Sequence, residues 1–291
     1  MREFELIDAL VQRFGSTAEG GCLVTGIGDD SSVTRMPDRH QLVSSIDTLL
    51  ANTHFPLDAD AVEVGYRAMM VSLSDLAAMG ATPLFVLLAL TLPDDSPEWA
   101  TRFASGAADA ARVAGAVIAG GNLTRGPLGV SVSVHGAIPA GKAVLRSGAR
   151  PGDRVYVSGH LGGAAAALRL DFVDPVLNER FYRPSARFDL AAGLRASASA
   201  AIDISDGLLQ DLGHLARASG CRVDVVSIDV PVFAGATLAD ALYGGDDYEL
   251  CFTATSPPSF PAVEIGWISE GSGVWVDGHV PERTGYQHFG S

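Results

Sequence analysis

The sequence predicts a mixed α/β (α+β) protein of two domains, and three observations carry that reading. Apolar strand-like runs alternate with helical segments in both halves of the chain. A turn-rich, charged segment, RSGARPGD at 146–153, separates the halves. Of 291 residues, 47% are hydrophobic and only 19% charged, which is enough apolar surface for buried cores.

In chain order, 6–14 reads as an amphipathic helix, and GIGDDSSV at 26–33 as a loop. A strand follows at 42–46. Residues 61–79 have helical spacing, with Val64, Ala68, Val71 and Leu76 on one side, and stop at Gly80 before Pro83. The apolar run 85–92 fits a buried strand. A helix over 97–113 ends at Gly115, and a short strand over 116–119 leads into Gly120-Gly121-Asn122. VSVSV at 130–134 alternates as a half-buried strand does. Beyond the junction, strands are predicted at 154–158, 201–204, 223–226, 250–253, 263–268 and 274–276. Helices are predicted at 162–170, 186–197 and 208–218. The expected domains are 1–145 and 146–291.

The net charge of −14 offers no basic surface for a phosphate backbone, which argues against nucleic acid as a partner. An acidic protein that binds phosphates needs a positive supply, and divalent metal ions provide one. Three cysteines without a CxxC speak against disulfides and structural zinc and for a reducing cytoplasm. The acidic, amphipathic start is no signal peptide, and the longest apolar stretch, 84–92, is too short to span a membrane.

Aspartates stand where folding alone does not favour them. Asp29 and Asp30 are neighbours after a glycine turn, and two such carboxylates repel unless a cation or donors sit between them. Asp47 ends the strand at 42–46, where ligand sites of α/β folds gather. Asp75 lies late in an apolar helix, against the helix dipole and at a desolvation cost. Asp203 sits inside the strand AIDI, and Ser205 and Asp206 precede the next helix, where they suit both N-capping and a phosphate site. Several carboxylate oxygens are what Mg²⁺ uses, completed by waters and substrate phosphates. No zinc-like His/Cys spacing and no Walker A motif occurs.

Nine segments, in order, resemble the thiamine-monophosphate kinases, of the superfamily that includes aminoimidazole ribonucleotide synthetase and selenophosphate synthetase. They are GIGDDSSV, SSIDTLLANTHF, SLSDLAAMGATP, GGNLTRGP, RSGARPGD, RPSAR, AIDISDGLLQDLGH, GGDDYELCFT and GYQHF. The resemblance implies an N-terminal mixed-sheet domain that dimerises and a C-terminal α/β sandwich domain. It implies ATP as co-substrate, several Mg²⁺ ions and thiamine monophosphate as phosphate acceptor. By position, Asp30, Ser45, Ile46, Asp47, Asp75, Asn122, Asp203 and Asp206 correspond to metal ligands, with Asp30, Asp47 and Asp75 central to catalysis. Gly121, Asn122, Arg146 and Ser205 correspond to ATP contacts, and His54, Asp246 and Tyr286 to substrate contacts.

Three residues depart from the family pattern. Asn122 stands for a usual Asp, Ile46 for a usual Thr and Asp246 for a usual Glu. An amide oxygen at Asn122 and the main-chain carbonyl at Ile46 can still bind metal, with less negative charge. Two alternatives share the ATP-site residues: an aminoimidazole ribonucleotide synthetase-like enzyme and a catalytically impaired ATP-binding homologue. A dinucleotide-binding reading of SGHLGG at 158–163 lacks the full GxGxxG pattern and leaves the aspartates unexplained.

Overall fold

The structure, a computed structural model, describes residues 3–93 and 96–286. The chain divides into two compact units: Met1–Leu76 with Ala81–Gly141, and Ala77–Gly80 with Lys142–Ser291.

The first unit begins with helix α1 (Glu3–Phe14) and a small ribbon of β1 (Leu23–Thr25) and β2 (Val33–Thr34). Strand β3 (His40–Leu50), helix α2 (Ala61–Ala78), β4 (Thr82–Leu92), helix α3 (Pro97–Ala114), β5 (Val117–Arg125) and β6 (Gly129–Pro139) follow. The four long strands form one sheet in the order β3-β6-β4-β5, with only the β4–β5 pair parallel. Pro97 opens α3, and Gly115 closes it at a left-handed φ of 70°. A Cβ at Gly106 would stand 1.8 Å from the Val62 carbonyl oxygen, and one at Gly65 2.1 Å from that of Phe103. The two glycines therefore let α2 and α3 touch backbone to backbone, which fixes where α2 lies. Leu73 and Leu76 on α2 are fully buried on either side of Asp75, each contributing about 1.5–3 kcal/mol of apolar burial.

The second unit contains β7 (Arg154–Val157), α4 (Gly163–Arg169), α5 (Pro175–Tyr182), α6 (Ala191–Ser197) and β8 (Ala200–Asp203). It continues through α7 (Leu208–Ser219), β9 (Arg222–Val225), α8 (Leu238–Tyr243), β10 (Leu250–Ala254), β11 (Val263–Ser269) and β12 (Gly273–Val276). Its sheet runs β12-β9-β11-β7-β10-β8. Leu208, Leu209, Leu212 and Leu215 give α7 an apolar stripe with the i, i+4, i+7 spacing of a buried helix face, and all four are buried. The stripe anchors α7 in the core, with its first turn just past the end of β8.

Several predicted elements change. The strand expected to stop at 119 runs on through Gly120–Asn122 to Arg125, because β5 pairs with β4 along its whole length. Gly121 permits this, since a Cβ there would lie 1.9 Å from the Leu88 carbonyl oxygen. The helix expected over 186–197 is a short 3₁₀ turn followed by α6. Helices α5 and α8 were not predicted, although each carries a cap. The Asp174 carboxylate accepts from the Val176 and Leu177 N–H groups, and Thr237 with Asp240 forms a capping box. Among the described residues no helix is long and apolar enough to cross a membrane.

Candidate active site

In the first unit the strand period sorts the candidates on β3. Ser45 and Asp47 share the face of buried Val43 and Leu49, whereas Ile46 points the other way and is 64% exposed. Only the main chain of Ile46 can therefore serve the Ser45–Asp47 side. Helix α2 brings Asp75 to that side, where the Ser45 hydroxyl donates to Asp75 Oδ2 at 2.5 Å. Burial, and next the charge of Asp75, push the Asp47 carboxyl up to about 6, with a bond from Ser72 pulling the other way. Two neighbouring carboxylates, beside a hydroxyl and with oxygen donors only, fit a hard divalent cation such as Mg²⁺.

Asp29 and Asp30 are exposed, and the Asp30 N–H donates to Asp29 Oδ1 at 2.8 Å. His54 lies in the turn after β3 and accepts the Leu50 N–H at Nδ1, 3.0 Å away. That bond leaves the ring proton on Nε2. Gly121 and Asn122 are on β5, at the opposite edge of the sheet from β3. Three strand spacings put Asn122 roughly 14 Å from Asp47. Registers across the sheet also put Asn122 in line with Thr48, not with Asp47. The two side chains therefore stand on different strands and in different rows of the sheet. An apolar cavity of about 160 Å³ instead borders Gly120, Gly121 and Asn122, walled by Leu10, Phe14 and Phe103 among others.

In the second unit the candidates converge on the turn between β8 and α7. Asp203 ends β8 and is buried. Neither Ser205 nor Asp206 occupies the N-cap of α7, contrary to expectation; that position falls on Gly207 at a φ of 120°, without a side-chain cap. Asp211, inside α7, accepts the N–H groups of Ser205 and Asp206 at 3.0 and 3.1 Å. Burial first, then the charges of Asp203 and Asp206, push Asp211 up to about 8. Asp206, Asp211 and His214 each offer one atom within 4.8 Å of the others. Burial, followed by the charges of Arg146 and Arg217, lowers the His214 imidazole, which places Arg146 in the electrostatic reach of this cluster.

The substrate candidates meet the same turn. The Asp246 N–H donates to the Ser205 carbonyl at 2.9 Å, and the Tyr286 N–H to that of Asp206 at 3.0 Å. Asp246 holds a φ of 68°, and its Oδ1 accepts the Tyr248 hydroxyl at 2.9 Å. The last three residues of GYQHF, at 287–289, lie outside the described residues. Sequence reasoning missed Asp211 and His214. Their signal was present, as an Asp and a His three apart on the helix that follows the metal-type aspartates.

Asp247, next to Asp246, is 4% exposed, and both its carboxylate oxygens accept the Gly162 N–H at 2.9 Å. Desolvation outweighs that bond and pushes Asp247 up to about 8. A carboxyl raised in the fold penalises folding once it must ionise. The penalty is absent below the unfolded value of about 4 and grows as pH rises toward about 8. Thermal denaturation should therefore show stability falling across that window, with a shallower fall in Asp247→Asn. An identical slope in the two chains would remove Asp247 as the cause.

Comparison with known proteins gives a consistent picture. Residues 28–138 match the family described as AIR synthase related protein, N-terminal domain. The thiamine-monophosphate kinase of Salmonella typhimurium is 44% identical over 268 residues, 86% of this chain and 82% of its own length. That of Haemophilus influenzae is 36% identical over 326 residues, covering 99% of this chain and 98% of the relative. The crystal structure of thiamine-monophosphate kinase from Stenotrophomonas maltophilia K279a superposes with a TM-score of 0.86 at 39% identity, over 96% of this chain and 98% of that one. AaThiL complexed with AMPPCP and TMP gives 0.83 at 32% identity, over 99% of both chains. The hydrogenase maturation protein HypE of E. coli, at 20% identity and a TM-score of 0.73, shares the fold alone.

Proposed function

Since the chain belongs to the thiamine-monophosphate kinase family, we propose that it transfers the γ-phosphoryl group of ATP to thiamine monophosphate, giving thiamine diphosphate and ADP. The observation that carries this reading is the likeness, over 99% of both chains, to a structure holding AMPPCP and TMP. A phosphate oxygen of the acceptor forms the new bond to the γ-phosphorus, and the bond from that phosphorus to the β,γ-bridging oxygen breaks. With a second pKa of about 6, the acceptor phosphate is already largely dianionic near neutral pH, so no proton need be removed.

The obstacle is to bring two polyanions together on a chain of net charge −14. Bound Mg²⁺ ions supply the neutralising charge and a template for in-line transfer. In the first unit Asp30, Ser45, Asp47, Asp75, the Ile46 carbonyl and the Asn122 amide oxygen are the proposed ligands of several ions; in the second, Asp203 and Asp206. Gly121, Asn122, Arg146 and Ser205 are assigned to ATP, with the apolar cavity beside Gly121 as a slot for a flat base. His54, protonated at Nε2, donates to the acceptor, and Asp246 and Tyr286 hold its thiamine end. Incubation with Mg-ATP and thiamine monophosphate should yield thiamine diphosphate and ADP in equal amounts. ATP hydrolysis that ignores the acceptor, or no turnover at all, would overturn the reading.

We also propose a homodimer and a cytoplasmic location. Leu42, Ile46 and Leu50 form an apolar row on one face of the edge strand β3, 53%, 64% and 43% exposed. Such a row on an unpaired edge favours a partner. Light scattering should give twice the chain mass, and Leu42→Asp should shift the mass toward one chain. A single-chain mass at every concentration would contradict the dimer.

A further inference from the structure

We infer that Asp211 is a positioning residue, whose Oδ2 fixes the Ser205–Asp206 turn and with it the side chains assigned to ATP and metal. The inference rests on the kinase reading above. Asp211 is 2% exposed, and its one oxygen accepts both N–H groups of the turn. The carbonyls of the turn are taken as well. Those of Ser205 and Asp206 accept from Asp246 and Tyr286, and that of Ile204 accepts from the Tyr248 N–H at 2.8 Å. The Ile204 N–H donates to the Glu249 carbonyl at 2.9 Å. Three residues thus have every main-chain polar group engaged, by Asp211 on the next helix and by the segments at 246–249 and 286.

The approach is close enough to demand glycine twice. A Cβ at Gly245 would lie 2.2 Å from the Ser205 carbonyl oxygen, and one at Gly285 2.4 Å from that of Asp206. The segments carrying Asp246 and Tyr286 are therefore seated on the turn itself, so a shift of the turn shifts the substrate contacts too. Of these bonds, only those to Asp211 depend on a side chain. The helix does not hold the turn by a cap, since its N-cap is Gly207. A carboxylate one turn into α7 does so, and the leucine stripe of α7 locks that carboxylate to the core.

An alanine at 211 leaves two half-buried N–H groups without their acceptor and lets the turn move. An asparagine still offers one oxygen to both. A glutamate keeps the charge but carries its oxygens on a longer arm. The test uses the full chain with Asp211→Ala, Asp211→Asn and Asp211→Glu. It reads turnover at saturating Mg²⁺ and amide hydrogen exchange at Ser205 and Asp206 in the metal-free protein. A displacement of about 1 Å in a catalytic arrangement costs about 100-fold, which is the loss expected for Asp211→Ala and Asp211→Glu, with faster exchange at both amides. Asp211→Asn should stay within about tenfold of the parent, a barrier change near 1.4 kcal/mol, with the amides still protected.

If Asp211→Ala does not fold, the contrast between the asparagine and glutamate chains decides. Parent-like exchange and turnover in Asp211→Ala or Asp211→Glu overturns the inference. So does an Asp211→Asn chain as slow as the alanine one, because charge and not hydrogen bonding would then be what matters. A parent that makes no thiamine diphosphate defeats the kinase reading instead, while exchange in the metal-free chains still reports whether Asp211 holds the turn.

Discussion

Asp75→Asn is expected to cut turnover by about 1,000-fold or more while leaving the protein folded. The side chain lies between fully buried Leu73 and Leu76 on α2, held by the Ser45 hydroxyl and near enough to Asp47 to raise its carboxyl. An amide keeps an oxygen for the Ser45 hydroxyl, so local packing survives. It removes the negative charge that a shared divalent cation needs. In the absence of metal the variant should be no less stable than the parent, because the repulsion between positions 47 and 75 is gone. Added Mg²⁺ should then raise the denaturation midpoint of the parent more than that of the variant, since a ligand that binds only the folded state stabilises in proportion to its affinity. Turnover at parent rates in Asp75→Asn, or turnover that persists in excess chelator, would remove Asp75 from the metal site.

Free thiamine should be at least about 1,000-fold poorer than thiamine monophosphate as acceptor, the loss that goes with a missing general base. A primary hydroxyl must lose a proton during attack, whereas the phosphate already carries its charge. The histidine assigned to the substrate, His54, is unsuited to take that proton: its Nδ1 accepts the Leu50 N–H, so Nε2 holds a hydrogen and can only donate. Free thiamine also lacks the phosphate oxygens that bound metal would grip. Measuring kcat/KM for both acceptors under one set of conditions settles the matter. Comparable values would show that a base operates which neither the sequence nor the geometry reveals.

Much of the first unit was legible because its elements are long and strongly periodic. The α2 and β4 patterns survive with small changes at their ends, and the alternation of VSVSV is the first half of a longer strand, β6. What was misread followed from contacts that composition does not show. Gly120–Asn122 looks like a turn by composition, yet parallel pairing with β4 makes it strand, and Gly121 is there for the Leu88 carbonyl. Ser205 and Asp206 look like helix caps, yet Asp211 takes over the two N–H groups and the helix starts at Gly207. Local propensity does not weigh pairing partners: in the first place a distant strand prevails, and in the second a side chain one turn into the following helix.

By itself the sequence determined the mixed α/β class and the family. Nine short motifs in order constrain the chain far more tightly than any one of them, and residue identity alone carries that information. The sequence also named the oxygen-rich residues, since a chain of net charge −14 that handles phosphates has to gather its carboxylates around cations. Tertiary structure alone decided which of them meet. Sheet order put β3 and β5 on opposite edges and so parted Asp47 from Asn122. Strand alternation turned Ile46 away from Ser45 and Asp47, and packing of α2 brought Asp75 to within a hydrogen bond of Ser45. Chain folding also drew Asp246 and Tyr286 onto the turn that Asp211 secures. Each outcome depends on a pairing register or a helix seat, set by burial summed over whole elements, and no short motif encodes such a sum.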